Sequence, residues 1–274
     1  MFDKTAPIGV FDSGIGGLTV FEEIKKILPH ENLIYFADSI HLPYGDRAID
    51  EIYQFTESIT TFLKEYGCKI IVIACNTASA AALYKLRKLH PTFNFIGMEP
   101  AVKPAVEKTN TGKIGVIATA ATFQGELFKS VVERYAQQVE VISQPCPGLV
   151  QQIELGELET YKTEEMLKKW ILPMIDAGID RLVLGCTHYP FVIKTINKIT
   201  QNKVEVIDPA PSVARHLKSV VEKNHWLNNQ SSIGNKTYIT TGNTNEFVFV
   251  TSKLNLSLSN VQQAKWDKLN IKIS

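Results

Sequence analysis

Short apolar runs alternate along the chain with segments whose apolar residues recur at helical spacing. The runs predict strands near residues 7–12, 33–38, 69–74, 93–98, 113–118, 139–144, 180–185, 203–207 and 236–241. Most are apolar throughout, as expected of parallel strands with helices on both faces. Between them, helical stripes include Ile52, Phe55, Ile59, Phe62 and Leu63, and later Leu167, Trp170, Ile171 and Met174. The alternation predicts βαβ units around a parallel sheet.

The strand segments form two series that match in order. The matched pairs are IGVFDS at residues 8–13 with IGVIAT at 114–119, residues 33–38 with 139–144, Cys75 with Cys186, and residues 99–101 with 208–210. Parallel strands can look alike without common descent. Four collinear pairs, all at strand ends, nevertheless favour a duplicated α/β unit.

The duplication predicts the fold class and the domain organisation. We expect an α/β protein with two pseudo-symmetric three-layer domains, mainly parallel sheets, and an active site in the cleft between them. The first domain is predicted to comprise residues 1–98 and 211–274, and the second residues 99–210. The tail, which belongs to neither repeat, should pack on the first half with a helix over 212–226. Residues 228–235 are rich in Asn, Ser and Gly and predict a surface loop.

Composition limits the classes of partner. The 274 residues carry 29 basic and 28 acidic side chains, so no broad charge attracts nucleic acid or anionic lipid. No apolar run approaches the ~20 residues of a membrane span. Four cysteines without CxxC spacing, and a beginning without a secretory pattern, predict a cytoplasmic protein with reduced thiols. A small-molecule partner is expected.

Two cysteines lie where ligands bind in α/β sheets, just beyond the carboxyl ends of strands. Cys75 is followed by Asn76 and Thr77, and Cys186 by Thr187 and His188. A single cysteine at such a place is more often structural. The equivalence of the two places predicts that both thiols face one cleft, where a helix N-terminus would lower the thiol pKa. Cys68 and Cys146 have no counterparts and are predicted to be structural.

Three ionisable residues accompany these thiols. Asp12, which closes the first strand, is predicted to act near Cys75, and His188 is placed to share the proton of Cys186. Asp12 and Ser13 could instead cap a helix, and His188 could be a structural histidine. Glu154 could lie in the cleft or on a solvated helix surface.

The glycine-rich segment SGIGG allows two interpretations. A dinucleotide fingerprint would require glycine at position 19, where Thr19 stands, which disfavours nucleotide binding. A turn that brings backbone amides toward a small anion explains Gly14, Gly16 and Gly17 equally well.

Paired acid–base groups on opposite sides of one carbon are what stereochemical inversion requires. One group removes a hydrogen from one face and the other returns a hydrogen to the opposite face. Two alternatives remain open from the residues alone. A hydrolase could use Cys186 with His188, and a two-lobed protein could bind an amino acid without turning it over.

The motifs IGVFDSGIGG, YFAD followed by LPYGDR, ACNTAS and GCTHYP occur in this order across nearly the whole chain. Through them the sequence resembles the glutamate racemases of the aspartate/glutamate racemase superfamily. The resemblance implies a cofactor-independent 1,1-proton transfer between L- and D-glutamate, without a metal. It also implies a homodimer that supplies D-glutamate for peptidoglycan synthesis.

The same resemblance implies roles for individual residues. Cys75 and Cys186 would exchange the proton, supported by Asp12 and His188, and Glu154 would be a further acidic group. The amino-acid head would be held by polar side chains, which are Asp12, Ser13, Asn76, Thr77, Thr119, Thr187 and His188. The turn Pro43-Tyr44-Gly45 would receive the side-chain carboxylate through the backbone amides of Tyr44 and Gly45.

Overall fold

The computed structural model describes residues 3–274 as two α/β halves, each built on its own sheet. The strands are β1 (Ile8–Asp12), β2 (Leu33–Ala37), β3 (Ile70–Ile73), β4 (Phe95–Gly97), β5 (Lys113–Ala118), β6 (Glu140–Pro145), β7 (Arg181–Gly185), β8 (Glu205–Ile207), β9 (Lys236–Thr240), β10 (Val261–Asp267) and β11 (Asn270–Ile273). The helices are α1 (Leu18–Ile27), α2 (Ile49–Glu65), α3 (Asn76–Leu89), α4 (Val102–Lys108), α5 (Ala120–Gln124), α6 (Glu126–Tyr135), α7 (Leu149–Glu154), α8 (Tyr161–Asp176), α9 (Ile193–Thr200), α10 (Ala210–Lys223) and α11 (Thr244–Lys253). Short 3-10 turns occupy Ser39–His41, Tyr44–Asp46 and Tyr189–Val192.

The two sheets repeat one strand order. The first runs β11-β10-β9-β2-β1-β3-β4 and the second β6-β5-β7-β8, so β2-β1-β3-β4 corresponds strand for strand to β6-β5-β7-β8. All pairings are parallel except that of β10 with β11. The predicted α/β class with two pseudo-symmetric halves is confirmed.

All nine predicted strands are present. β1, β2 and β3 are buried along their whole length, as their continuous apolar runs indicate. The hairpin of β10 and β11 was not predicted, because its sequence VQQAKWD is polar and largely half-exposed at the sheet edge. A search for apolar runs therefore misses it.

The tail packs on the first half. Its helix, predicted over 212–226, is α10, which packs against α1, and β9 pairs with β2. The predicted domain limits at 98/99 and 210/211 stay a prediction, and the first two residues lie outside the described part of the chain. Among the helices of residues 3–274, none has both the length and the apolar character needed to cross a bilayer.

A buried ion pair within the first half also binds backbone groups of the tail. Lys69 Nζ lies 2.6 Å from Glu31 Oε2, and both side chains are at most 2% exposed. The ammonium also donates to the backbone oxygens of Lys4 and Trp226, while the backbone N–H of Asn228 donates to Glu31 Oε1 at 2.8 Å. The predicted surface loop over 228–235 is confirmed for residues 229–235, whereas Asn228 is buried beside this cluster.

Candidate active site

The carboxyl ends of β1, β3, β5 and β7 meet at one small cavity between the two halves. Its wall consists of side chains that follow these strands together with two loops, and these residues are Ser13, Pro43, Tyr44, Gly45, Cys75, Asn76, Thr77, Thr119, Val150, Cys186, Thr187 and His188. The structure thus brings together all the predicted site residues except Asp12 and Glu154, which touch lining residues instead. Val150 was not predicted, because an apolar residue in an apolar helix gives no chemical signal.

The cavity is closed by polar contacts between the halves. Its volume of about 10 Å³ is the space of about one water molecule. Thr187 Oγ1 donates to Asp12 Oδ2 at 2.9 Å, and Thr77 Oγ1 lies 2.9 Å from Thr119 Oγ1. The groups that line the site therefore also hold the halves together.

Cys75 lies at the N-terminus of α3. Its sulfur accepts a hydrogen bond from the backbone N–H of Ala78 at 3.4 Å, and Ser13 Oγ lies 3.9 Å away. Burial nevertheless raises the pKa of Cys75, and the nearby charge of Asp12 raises it further. The expectation that a helix N-terminus lowers this pKa is wrong for Cys75, since one amide does not offset the loss of water.

Cys186 faces the same cavity from the second half. Its sulfur lies 3.9 Å from His188 Nδ1, and His188 Nε2 lies 2.6 Å from Glu154 Oε1. Burial by itself lowers the pKa of His188, but the hydrogen bonds to Cys186 and Glu154 outweigh it and raise this pKa well above its ordinary value. The proposed sharing of a proton between Cys186 and His188 is therefore geometrically supported.

Asp12 lies directly behind the lining residues. Its Oδ1 accepts the backbone N–H of Gly14 at 2.9 Å, and its Oδ2 accepts the hydroxyl of Thr187. Burial raises the pKa of Asp12, although the charge of His188 opposes the rise. The alternative that Asp12 or Ser13 caps the first helix is wrong, because Gly17 occupies the N-cap of α1 without a side-chain cap.

The glycine-rich turn packs against the acidic group of the other half. Ile15 donates its backbone N–H to Glu154 Oε1 at 2.9 Å. A Cβ atom on Gly14 would overlap Glu154, and one on Gly16 would overlap the ring of His188. The turn therefore needs glycine for close approach, and the anion that its amide meets is a carboxylate of the protein.

Asn76 has a buried side-chain amide that forms no hydrogen bond within residues 3–274. Its side chain is 2% exposed and lines the cavity, yet neither Oδ1 nor Nδ2 has a hydrogen-bond partner within residues 3–274. Buried amides are rarely left unpaired, so a partner from a bound molecule is expected here.

Thr122, which was not predicted, contacts both Thr77 and Thr119 through its hydroxyl. Its position three residues after Thr119, the N-cap of α5, was the available signal.

Of the remaining two cysteines, Cys68 is buried beside Gly9 of β1, whereas Cys146 lines a neighbouring pocket with Gly45 and Thr119 and lies near Cys186. Burial raises the pKa of Cys68 to about 12 and also raises the pKa of Cys146. Their predicted structural role stays a prediction. Across residues 3–274, no three His, Cys, Asp or Glu side chains are grouped to hold a metal ion.

Comparison with known proteins assigns the class. A family model described as Asp/Glu/Hydantoin racemase matches residues 8–217. The chain belongs to this family, and it is therefore a racemase.

Its relatives include glutamate racemases. That of Stutzerimonas stutzeri is 48% identical over 227 residues, covering 83% of this chain and 86% of the relative. That of Roseiflexus is 44% identical over 266 residues, covering 96% and 98%. The crystal structure of the Francisella tularensis glutamate racemase in complex with D-glutamate matches with a TM-score of 0.85 at 33% identity, covering 97% of this chain and 99% of that one. The resemblance predicted from the motifs is confirmed.

Proposed function

We propose that the protein interconverts L- and D-glutamate by proton transfer between Cys75 and Cys186. One observation carries the proposal: thiols from equivalent strands of the two halves line one cavity, each with its own polar partners. The names of the relatives support glutamate as the substrate. The supply of D-glutamate for peptidoglycan synthesis, a cytoplasmic location and a homodimer follow from the same resemblance and are part of this proposal.

The reaction needs no group beyond the two thiols for its proton balance. The thiolate of one cysteine takes the α-proton, so that a C–H bond breaks and an S–H bond forms. The thiol of the other cysteine gives its proton to the opposite face of the resulting carbanion, which inverts the centre. The reverse reaction exchanges the two roles.

The partners of the thiols suit these tasks. Burial keeps Cys75 protonated at rest, which makes it ready to donate. His188, charged through its raised pKa, can exchange a proton with Cys186. Exclusion of water from the narrow cavity makes the surrounding dipoles more effective toward the developing carbanion.

The substrate is held by groups that can pair with its charges. The unpaired amide of Asn76 and the hydroxyls of Ser13, Thr77, Thr119 and Thr187 line the cavity and are assigned to the amino-acid head. The backbone amides of Tyr44 and Gly45 are assigned to the side-chain carboxylate. A cavity of about 10 Å³ cannot admit glutamate, so the halves must separate for entry and close around the substrate.

A cofactor-free assay in heavy water tests the function. The protein incubated with L-glutamate is expected to abolish the circular dichroism of the amino acid while deuterium enters at Cα, as two-base transfer with solvent exchange requires. Unchanged dichroism and no label, from protein shown to be folded, would refute the proposal. Incubation with L-aspartate provides the comparison for substrate choice.

Replacement of Glu154 by glutamine tests the pairing with His188. Loss of the carboxylate is expected to lower the pKa of His188, so the alkaline limb of the kcat profile should move to lower pH by about one unit. Because folding raises this pKa, protonated His188 stabilises the fold below its ordinary pKa, and that contribution is lost as the pH rises through the raised value. The variant should therefore lose stability mainly below the raised pKa.

The measurements are kcat from pH 6 to 10, unfolding at the two ends of this range, and NMR titration of the His188 ring. Glu159→Gln is the matched control, since Glu159 forms an exposed ion pair with Lys194. An unshifted alkaline limb in Glu154→Gln would contradict the assigned pairing.

A further inference from the structure

Asp38 is a fully buried carboxylate that does not line the cavity. It follows β2 and has four partners, of which His41 lies within hydrogen-bond distance of both oxygens. Its Oδ1 accepts Trp266 Nε1–H at 2.8 Å and the hydroxyl of Thr241 at 3.0 Å. Its Oδ2 accepts the hydroxyl of Tyr44 at 2.6 Å and lies 2.9 Å from His41 Nδ1. Such a set satisfies the buried charge and fixes the positions of all four partners.

The four partners come from two separate parts of the chain. His41 and Tyr44 belong to the segment 39–47, which we call the substrate loop. Thr241 and Trp266 belong to the C-terminal tail, which lies beyond the duplicated units and beyond residue 217, where the family match ends. Thr241 Oγ1 also accepts the backbone N–H of Ile40 at 3.1 Å. The tail therefore holds the substrate loop in two ways. It binds Asp38, which in turn binds the loop, and Thr241 binds the loop directly.

Aromatic packing reinforces the same link. The ring of His41 stacks on Phe55 with centroids 3.9 Å apart and an interplanar angle of 13°. Trp266 approaches His41 and Phe55 edge-on, at 4.9 and 5.6 Å between centroids. The indole of Trp266 thus acts on the loop through the bond of its N–H group to Asp38 and through the contact of its ring with His41.

The position of the substrate loop determines one wall of the cavity. Pro43, Tyr44 and Gly45 line it, and a Cβ atom on Gly45 would lie 2.8 Å from Cβ of Thr119 in the other half. The hydroxyl of Tyr44 is used by Asp38, so this residue offers the substrate its backbone rather than its phenol. A displacement of the loop by a fraction of an ångström therefore changes the backbone donors that meet the substrate.

We infer that Asp38 is a positioning residue for substrate binding, and that Trp266 extends this role to the C-terminal hairpin. The inference rests on the proposed racemisation of glutamate. Asp38 and Trp266 act through the substrate loop and touch no reacting atom, so their loss should weaken binding of glutamate more than the proton transfer itself.

Two substitutions test this role. Trp266→Phe removes the indole N–H and keeps an aromatic ring, and Asp38→Asn keeps the shape but removes the charge and turns one acceptor into a donor. Each is expected to raise KM for L-glutamate about tenfold, with kcat changed by less than about threefold. Trp170→Phe is the matched control, because Trp170 is buried in α8 of the other half. It should lower the melting temperature and leave KM unchanged.

The outcomes separate the inference from the proposed function. Absence of racemisation by the unsubstituted protein refutes the function itself. Racemisation with KM within twofold of the parent in Trp266→Phe overturns the inference, whatever the change in melting temperature. If Asp38→Asn does not fold, Trp266→Phe decides alone. A selective rise in KM that Trp170→Phe does not share supports the positioning role.

Discussion

Alanine at either Cys75 or Cys186 is expected to reduce kcat for racemisation about 10³-fold or more in both directions. A positioned acid or base contributes about 10²–10⁴-fold, and each enantiomer needs one thiol to take the proton and the other to return it. Both thiols line the same cavity, so neither can replace the other without crossing the substrate. The measurement is the rate of dichroism loss from each enantiomer, with folding verified by thermal melting.

Cys68→Ala is the control for these substitutions, since Cys68 is buried beside Gly9 and not in the cavity wall. It should lose stability and keep turnover. The same series separates the rival functions. A hydrolase that uses Cys186 with His188 would keep its turnover after Cys75→Ala. A binding protein would show no turnover in any of the variants or in the parent. Retained racemisation in either cavity variant would disprove the two-thiol mechanism.

Methionine in place of Lys69 is expected to lower the free energy of unfolding by about 3–5 kcal/mol, because it leaves the Glu31 carboxylate buried without its cation. The loss should appear as a lower urea midpoint with a similar slope. KM for glutamate should stay unchanged below the unfolding transition, since the pair lies outside the cavity wall.

The comparison variant is Lys25→Met, which removes a partly exposed pair with Glu22. Exposed pairs contribute about 0–1 kcal/mol. The loss in free energy of unfolding should therefore be severalfold larger for Lys69→Met than for Lys25→Met. If Lys69→Met lowers the free energy of unfolding by less than about 1 kcal/mol, the cluster around Glu31 does not stabilise the packing of the tail.

The strands of the two matching halves could be predicted from the sequence alone. The β strands that are buried on both faces require continuous apolar runs, and the residues that follow such strands must meet at one sheet edge. For this reason Cys75, Asn76, Cys186 and His188 could be located as candidates before the structure. The edge hairpin containing Trp266 has no such constraint, because one side of it faces water.

Contacts between distant polar residues could not be predicted. Asp38 lies 228 residues from Trp266 in the chain, and nothing in the residues around either one specifies the other. The same holds for Glu31 and Asn228. The pKa of Cys75 rises and does not fall, because the extent of its burial depends on packing that neighbouring residues in the sequence do not reveal. The individual roles of the site residues stay predictions.

The contacts that shut the cavity have a consequence for selectivity. Asp12 meets Thr187, and Glu154 meets Ile15, only when the halves are together. In an open molecule Cys186 would keep His188, and Cys75 would keep Ser13, but the two thiols would no longer flank one substrate. An amino acid too short to reach from the thiols to the backbone of Tyr44 would gain little from shutting the halves. Discrimination against such compounds would then arise from failure to assemble the catalyst, and not from exclusion at the entrance.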